Sequence, residues 1–185
     1  GLSHIGQIYS IGWAKKIGEC AVFDFNKKNL NLFVNKKYSH EEWNLNSVKY
    51  NPKKIKIYHD EEKILNHSVI FFTYDTPIDI NGKPNLQYIE NYFKILSKIK
   101  FLKKTKIIFT SQVFPGFSEF LRKKYLKKNR MIDLIYMVDT LKMGNAIERF
   151  LYPEQLVFGG SPKNKKFILN FFRKFKCKKY LYRTT

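Results

Sequence analysis

The chain alternates short apolar runs with helical patterns along its length, and this alternation constrains its fold more than any other feature. The apolar runs lack strict polar alternation, which is typical of parallel strands that are buried on both faces of a sheet. Seven runs are predicted as strands, at residues 20–25, 55–58, 68–74, 106–110, 132–138, 155–159 and 179–182.

Helical patterns lie between several of these runs. Apolar residues recur three and four positions apart at Leu86, Ile89, Phe93, Leu96 and Ile99, and further apolar stripes occupy 117–125 and 168–175. Strands that alternate with helices predict an α/β fold with a Rossmann-type doubly wound parallel sheet. No linker rich in Pro, Gly or Ser divides the sequence, so residues 1–185 are predicted to form one domain.

A glycine motif opens the sequence. The G-x-G-x-x-G outline, with serine at its middle position, occurs in Gly1-Leu2-Ser3-His4-Ile5-Gly6. Such a motif makes a tight turn into a helix whose free N–H groups hold a pyrophosphate. An acid follows at Asp24, at about the spacing at which a carboxylate accepts the ribose hydroxyls of a dinucleotide. The plainer alternative is an ordinary helix start followed by a surface acid.

The glycine motif of a dinucleotide-binding domain normally follows a strand in the middle of the sheet. Here the motif begins at the first residue, and we therefore expect a sheet that lacks its first strand. The strands that lead to Asp24 and Tyr74 should then flank an unfilled gap or have closed over it. Their carboxyl ends should line one crevice together with that of the strand before Ser111.

Polar residues follow two further predicted strands. Tyr74, Asp75 and Thr76 come at the end of the run 68–74, and Ser111 and Gln112 follow the run 106–110. Ligands of open parallel sheets bind beyond the carboxyl ends of the strands, so these side chains are candidates for ligand contacts. The plainer alternative for the first group is a strand-exit turn that the following proline closes.

The formal net charge of +20 raises the hypothesis of a nucleic-acid partner. The charge is mostly lysine, however, whereas specific phosphate and base recognition depends more on arginine. Lysine, asparagine and isoleucine share AT-rich codons, so genomic base composition is a sufficient explanation. A nucleic-acid module would also expose aromatic residues on a basic face, and here they fall mainly on core-like stripes. We therefore do not expect nucleic acid as a partner.

The two cysteines give little information about function. Cys20 and Cys177 lie far apart and provide neither a disulfide framework nor the spacing of a metal site, so no metal is expected. No apolar run has the length of a membrane span, and no signal-peptide pattern opens the sequence. The predicted location is the cytoplasm, with no membrane partner.

Taken together, these segments resemble the NAD-binding domain of the UDP-glucose/GDP-mannose dehydrogenase family. The family shows a glycine fingerprint, an Asp after the second strand, a strand ending in Thr-Pro, a Ser-Thr-Val-Pro-Pro-Gly turn, a Pro-Glu-Phe-Leu-Arg-Glu-Gly loop and a Pro-Asp-Arg-Ile-Val-Ile-Gly-Gly strand. The counterparts here follow in the same order, at residues 1–6, Asp24, 76–77, 111–116, 139–144 and 153–160.

The resemblance implies an oxidoreductase that oxidises the C6 alcohol of a nucleotide sugar to a carboxylate with two NAD per turnover. It places Asp139 and Gln112 at the reaction centre. It implies nucleotide-sugar contacts for Thr140, Leu141 and Lys142, and a parent chain that forms a homodimer. The implied cofactor contacts are Gly1, Ser3, His4, Ile5, Gly6, Asp24, Lys27, Tyr74, Asp75, Thr76 and Ser111.

Several positions depart from the family pattern, among them Val138 in place of a proline, and three of the departures bear on catalysis. Gln112 replaces a threonine, Asp139 replaces a glutamate, and Met143 replaces a second glutamate. Methionine cannot act as a general base, and an aspartate carboxylate is one methylene short of a glutamate carboxylate. These departures keep open a second hypothesis, a divergent or non-catalytic relative in the β-hydroxyacid dehydrogenase-like group.

The resemblance also bears on activity. The family's catalytic cysteine, its central helix and its sugar-nucleotide-binding domain are expected to follow Thr185, and Cys177 does not match the cysteine motif. We therefore expect this chain alone to be inactive.

Overall fold

The computed structural model describes residues 1–38 and 42–184. It has seven strands in the described residues, at the positions that the apolar runs predict. They are β1 (Cys20–Val22), β2 (Ile55–Ile57), β3 (Val69–Phe72), β4 (Thr105–Phe109), β5 (Ile132–Met137), β6 (Gln155–Gly160) and β7 (Lys179–Thr184).

The described residues also form six α-helices, of which α1 precedes β1 and the others lie between strands. They are α1 (His4–Lys16), α2 (Lys27–Val34), α3 (Leu86–Lys98), α4 (Phe117–Leu121), α5 (Ala146–Leu151) and α6 (Lys165–Phe171). The apolar stripe at 117–125 is split between α4 and a π-turn, and the stripe at 168–175 is split between α6 and a 3₁₀ turn. Neither α2 nor α5 has an apolar stripe long enough to predict it.

The strands form a five-stranded sheet in the order β3-β4-β5-β6-β7 and a separate pair, β1-β2. The predicted α/β fold with parallel strands is confirmed for β1-β2, for β3-β4-β5 and for β6-β7. The pairing of β5 with β6 is antiparallel, which the sequence did not predict. Helix α5 lies between these two strands and spans about 9 Å, whereas a six-residue strand spans about 20 Å. The helix is too short to return the chain along the length of β5.

Helices cover both faces of the five-stranded sheet, as a doubly wound fold requires. On one face, α1, α5 and α6 pack against the sheet in a core that includes Ile8, Phe150 and Phe172. On the other face, α3 and α4 form a second core that includes Phe93 and Leu121. Burial of each such side chain contributes about 1.5–3 kcal/mol, and the two cores hold the strand ends in fixed positions.

A cavity of about 420 Å³ separates the edge of β1 from the edge of β3. Its lining includes Val22 on one side, Val69 and Phe71 on the other, and Tyr9 and Trp13 of α1. The gap between the strands that lead to Asp24 and Tyr74, expected from the sequence, is present at this position.

Candidate functional site

The segment Gly1 to Gly6 forms a tight turn at the start of α1. A Cβ atom on Gly6 would lie 1.9 Å from the carbonyl oxygen of Gly1, so only glycine permits this approach of the backbone. A Cβ atom on Gly1 would lie 2.7 Å from the ring of Tyr74. Gly6 is therefore required by the proximity of the Gly1 backbone, as in a phosphate-binding turn, and Gly1 by the proximity of the Tyr74 ring.

Ser3, at the position that is glycine in the outline, directs its side chain toward the end of β3. Its hydroxyl donates to the carbonyl oxygen of Thr73 and accepts a hydrogen bond from the Asp75 N–H at 3.2 Å. The Thr73 hydroxyl in turn donates to the Gly1 carbonyl oxygen at 2.7 Å. The serine side chain thus helps to join the turn to β3.

Asp24 lies two residues beyond β1 and is 2% exposed. Its carboxylate accepts the Leu2 N–H at 2.6 Å and the Asn26 N–H at 2.7 Å. Two longer hydrogen bonds, both of 3.4 Å, come from the Asn29 amide and the Tyr74 hydroxyl. The carboxylate therefore fixes the glycine turn to the end of β1, at the position where the sequence places a ribose-binding acid.

Asp75 follows β3 and lies against the first turn of α1. Its Oδ2 accepts the backbone N–H of His4 at 3.1 Å. Burial raises the pKa of the Asp75 carboxyl, and hydrogen bonds from Ser3 and His4 oppose that rise. The first N–H groups of a helix have no acceptor within the helix, and here one of them already binds a carboxylate oxygen.

The ends of β4 and β5 complete the same edge. The Ser111 hydroxyl donates to the Tyr74 carbonyl oxygen, and the Thr76 hydroxyl donates to the Gln112 carbonyl oxygen at 2.6 Å. The Gln112 side-chain amide donates to Asp139 Oδ2 at 3.4 Å. The polar groups that follow β1, β3, β4 and β5 therefore meet in one region, as expected from the sequence.

Asp139 is half-buried and lies at the start of the loop that follows β5. Burial raises the pKa of its carboxyl, while hydrogen bonds from the Leu141 N–H, at 3.0 Å, and from Gln112 oppose the rise. The charge of Asp139 also raises the pKa of Asp75, so the two carboxyls lie within electrostatic range of each other. Two carboxyls with raised pKa values in one region are typical of functional sites.

Some of the expected site residues do not join this cluster through their side chains. Ile5 lies in the core, so it offers the site only its backbone N–H. The Ser111 side chain is fully buried against Tyr74. Lys27 is exposed at the first residue of α2, and Thr140 and Lys142 are exposed on the loop after Asp139.

The sequence analysis missed Glu42. Its side chain is fully buried, and it accepts hydrogen bonds from the backbone N–H groups of Gly144 and Ala146, both at 3.1 Å. Its Oε2 also lies 3.5 Å from Nε2 of His4. Glu42 belongs to no motif, and the two backbone N–H groups that it accepts are more than a hundred residues away, so nothing in the sequence signals its position.

Both cysteines are free, and each thiol makes a contact away from this cluster. The Cys20 thiol faces the Ser10 carbonyl oxygen, and burial raises its pKa to about 11. The Cys177 thiol donates to the Lys179 carbonyl oxygen. Within 1–38 and 42–184, no cluster of three or more His, Cys, Asp or Glu side chains is arranged to hold a metal ion. In the same ranges no helix has the length and apolar character needed to cross a membrane.

The doubly wound fold and the glycine turn beside a strand-end acid define a Rossmann-type dinucleotide-binding domain. The model of the UDP-glucose/GDP-mannose dehydrogenase family, NAD binding domain, matches residues 1–182, and the chain belongs to this family. NAD is the cofactor that this family domain binds.

The chain is also similar to individual proteins, and the similarity to solved structures concerns the fold. The UDP-glucose 6-dehydrogenase of Rickettsia bellii (strain RML369-C) is 28% identical over 110 residues, which are 58% of this chain and 25% of that protein. The solved structure of a GDP-mannose dehydrogenase from Pseudomonas aeruginosa has a TM-score of 0.80 at 20% identity. That of a UDP-glucose dehydrogenase from Pyrobaculum islandicum has a TM-score of 0.81 at 18% identity. Both matches cover 100% of this chain and 45% of the solved chain, so this chain spans less than half of these relatives.

Proposed function

We propose that this chain supplies the NAD-binding half of a nucleotide-sugar 6-dehydrogenase, which oxidises a UDP- or GDP-sugar to the uronate. The observation that carries the proposal is the glycine turn, in which Gly1 and Gly6 approach too closely for a side chain while Asp24 binds the Leu2 N–H. In this arrangement the backbone of the glycine turn would lie close to a pyrophosphate, and the Asp24 carboxylate would lie within reach of a ribose.

The pyrophosphate site in this proposal is the first turn of α1. Asp75 Oδ2 already accepts the His4 N–H, and this contact supports an anion site at the helix start. A phosphate oxygen would replace the Asp75 carboxylate there. The N–H groups of Ser3, Ile5 and Gly6 complete the cradle, with Lys27 as a nearby cation.

The ribose site in this proposal is Asp24. Its two short hydrogen bonds hold the Leu2 and Asn26 N–H groups, and its two longer ones are the weaker contacts that a ribose hydroxyl would displace. Tyr74 lies beside this site, with its ring stacked on that of Tyr92 at 4.0 Å. The Tyr74 ring is buried, so in this proposal it supports the adenosine site from the core through its hydroxyl, which contacts Asp24.

The nicotinamide end in this proposal lies beside Thr76, Ser111 and Gln112. Bound there, NAD would supply the hydride acceptor for the sugar alcohol, and Asp139 is the carboxylate that would take or hold a proton. The raised pKa of Asp139 brings it nearer to the working pH of a general base. The loop of Thr140, Leu141 and Lys142, in which Leu141 is half-buried and the other two side chains are exposed, is the part of this chain that we assign to the nucleotide sugar.

The assembled enzyme would need more than these residues. The solved relatives are more than twice the length of this chain, so we propose that a C-terminal domain supplies the rest of the sugar site. A homodimeric parent and a cytoplasmic location are part of the same proposal, and the two free thiols suit a reducing compartment.

A specific observation favours a second candidate, a non-catalytic relative. Each described thiol is engaged away from Asp139, and Met143 is 64% exposed where the family pattern has a carboxylate. We expect this chain by itself to give no steady NADH formation with UDP-glucose, UDP-N-acetylated sugars or GDP-mannose, measured by absorbance. Sustained NADH formation would overturn that expectation. The Cys177→Ser variant would then test whether the Cys177 thiol takes part in the reaction.

The test of the proposed function is a calorimetric comparison of NAD⁺ and NADP⁺ binding. A 2′-phosphate would approach the buried Asp24 carboxylate and be repelled by it, so NAD⁺ should bind more tightly by about tenfold or more. The variant Asp24→Asn keeps an acceptor for the Leu2 N–H but removes the charge, and it should narrow the difference. Equal or tighter NADP⁺ binding by the unaltered chain would refute the role given to Asp24.

A further inference from the structure

Glu42 connects three segments that are remote in sequence. One carboxylate oxygen accepts the Ala146 N–H, and the other accepts the Gly144 N–H and lies 3.5 Å from Nε2 of His4. The glutamate side chain is 0% exposed, and that of His4 is 14% exposed. The carboxylate thus lies between the start of α1 and the loop that leads from Asp139 to α5.

A buried carboxylate of this kind holds its neighbours firmly. Removal of a carboxylate from water is costly unless hydrogen bonds replace the hydration, and here two backbone N–H groups do so. The His4 imidazole adds a close contact to the same carboxylate, at 3.5 Å, rather than a hydrogen bond. The Gly144 and Ala146 N–H groups would in turn be left without an acceptor if Glu42 moved. A shift of His4 is therefore opposed by, or transmitted to, the Gly144–Ala146 backbone.

His4 is also the residue on which a bound phosphate would act. Its backbone N–H donates to Asp75 Oδ2, and Asp75 is the group that a pyrophosphate would displace in the proposed function. The same residue therefore has its backbone in the cofactor turn and its side chain against Glu42. Both contacts belong to one residue, at the first position of α1.

We infer that Glu42 is a positioning residue that couples NAD binding at the first turn of α1 to the conformation of the loop after Asp139. The inference rests on the proposed function and deepens it, because this loop is the part assigned to the nucleotide sugar. The occupied cofactor turn fixes His4, His4 fixes Glu42, and Glu42 fixes the Gly144 and Ala146 N–H groups.

The test follows backbone amides by ¹H–¹⁵N NMR while NAD⁺ is added to the 185-residue chain. In the unaltered protein, the amides of Gly144 and Ala146 should shift with the same midpoint as those of His4 and Gly6. In Glu42→Gln, NAD⁺ should still bind within about threefold of the original affinity, but the Gly144 and Ala146 response should fall at least fivefold. The matched control is Glu19→Gln, an exposed carboxylate at the start of β1, which should leave the response unchanged.

A second variant distinguishes a specific loss of the coupling from a general loss of structure. His4→Ala keeps the backbone N–H and the Glu42 bonds to the loop but removes the imidazole, and it should also abolish the response at Gly144 and Ala146. The coupling alone is overturned if the Gly144 and Ala146 amides respond undiminished in both variants. It is also overturned if, in the unaltered protein, His4 and Gly6 respond to NAD⁺ but Gly144 and Ala146 do not. No response at His4 or Gly6 overturns the proposed function, and the coupling with it.

Discussion

At the scale of single residues, the hydrogen bonds that already occupy the Asp24 carboxylate determine how readily the proposed site can bind a ribose. The carboxylate has donors from four residues, and the Tyr74 hydroxyl is one of the two distant ones at 3.4 Å. The same hydroxyl accepts the Phe25 N–H at 3.2 Å, so Tyr74 bridges the acid and the backbone after β1. A ribose hydroxyl that binds Asp24 must compete with this bridge.

Replacement of Tyr74 by phenylalanine should therefore strengthen NAD⁺ binding. A single hydrogen bond of this kind contributes about 0.5–1.5 kcal/mol, so calorimetry should show a dissociation constant about two- to tenfold lower for Tyr74→Phe. The melting temperature should fall slightly at the same time, because the Phe25 N–H loses its acceptor.

Tyr88→Phe is the matched control for this prediction. The Tyr88 hydroxyl bonds to that of Tyr92 at 3.0 Å, in the same aromatic cluster but without contact to Asp24. Its removal should leave NAD⁺ affinity unchanged. Unchanged or weaker binding in Tyr74→Phe would show that the ribose does not compete with Tyr74 for Asp24.

At the scale of elements, the packing of α1 on α5 keeps the glycine turn in place. A Cβ atom on Gly12 would lie 2.2 Å from Cδ1 of Phe150, a ring that is buried in the core. The Lys16 ammonium group also donates to the Leu151 carbonyl oxygen at the other end of the contact. The close approach of the two helices requires glycine at position 12.

Gly12→Ala should lower the free energy of unfolding by about 1–2 kcal/mol in urea denaturation. Overpacking of a buried contact costs about 1–3 kcal/mol, and the better helix propensity of alanine returns part of that. Gly159→Ala is the control, because its Cβ atom would have no neighbour nearer than 3.9 Å. Equal stability of the two variants would mean that α1 and α5 can separate without cost.

The sequence was sufficient to predict the strands and the residues at their ends. Buried parallel strands read as continuous apolar runs, and the polar groups that follow them, such as Asp24, Asp75 and Ser111, must meet at one edge of the sheet. Local patterns therefore predicted both the elements and the region of the site.

Long-range pairing could not be predicted in the same way. The antiparallel direction of β6 depends on how far α5 carries the chain, and the contact of Glu42 with Ala146 joins residues 104 apart. Neither feature produces a hydrophobic periodicity or a motif that could be recognised in the sequence. The full use of the Asp24 carboxylate by protein donors was also hidden, because it depends on the positions of Asn29 and Tyr74.

At the scale of the whole molecule, the proposed cofactor site lies between the β1-β2 pair and the five-stranded sheet. Asp24 follows a strand of the β1-β2 pair, while Tyr74 and Ser111 follow strands of the five-stranded sheet. An NAD molecule in the proposed position would bridge both. The net charge of +20 favours the approach of such an anion. Most large aromatic side chains are in the two cores, which gives little support to a nucleic-acid surface.

The most direct test of this account is a crystal structure of the chain with NAD⁺. The account predicts the pyrophosphate at the first turn of α1, the adenosine ribose on Asp24 and the nicotinamide beside Gln112, with Asp75 moved away from the His4 N–H. A dinucleotide bound elsewhere, or one bound at this edge with its ribose away from Asp24, would contradict it.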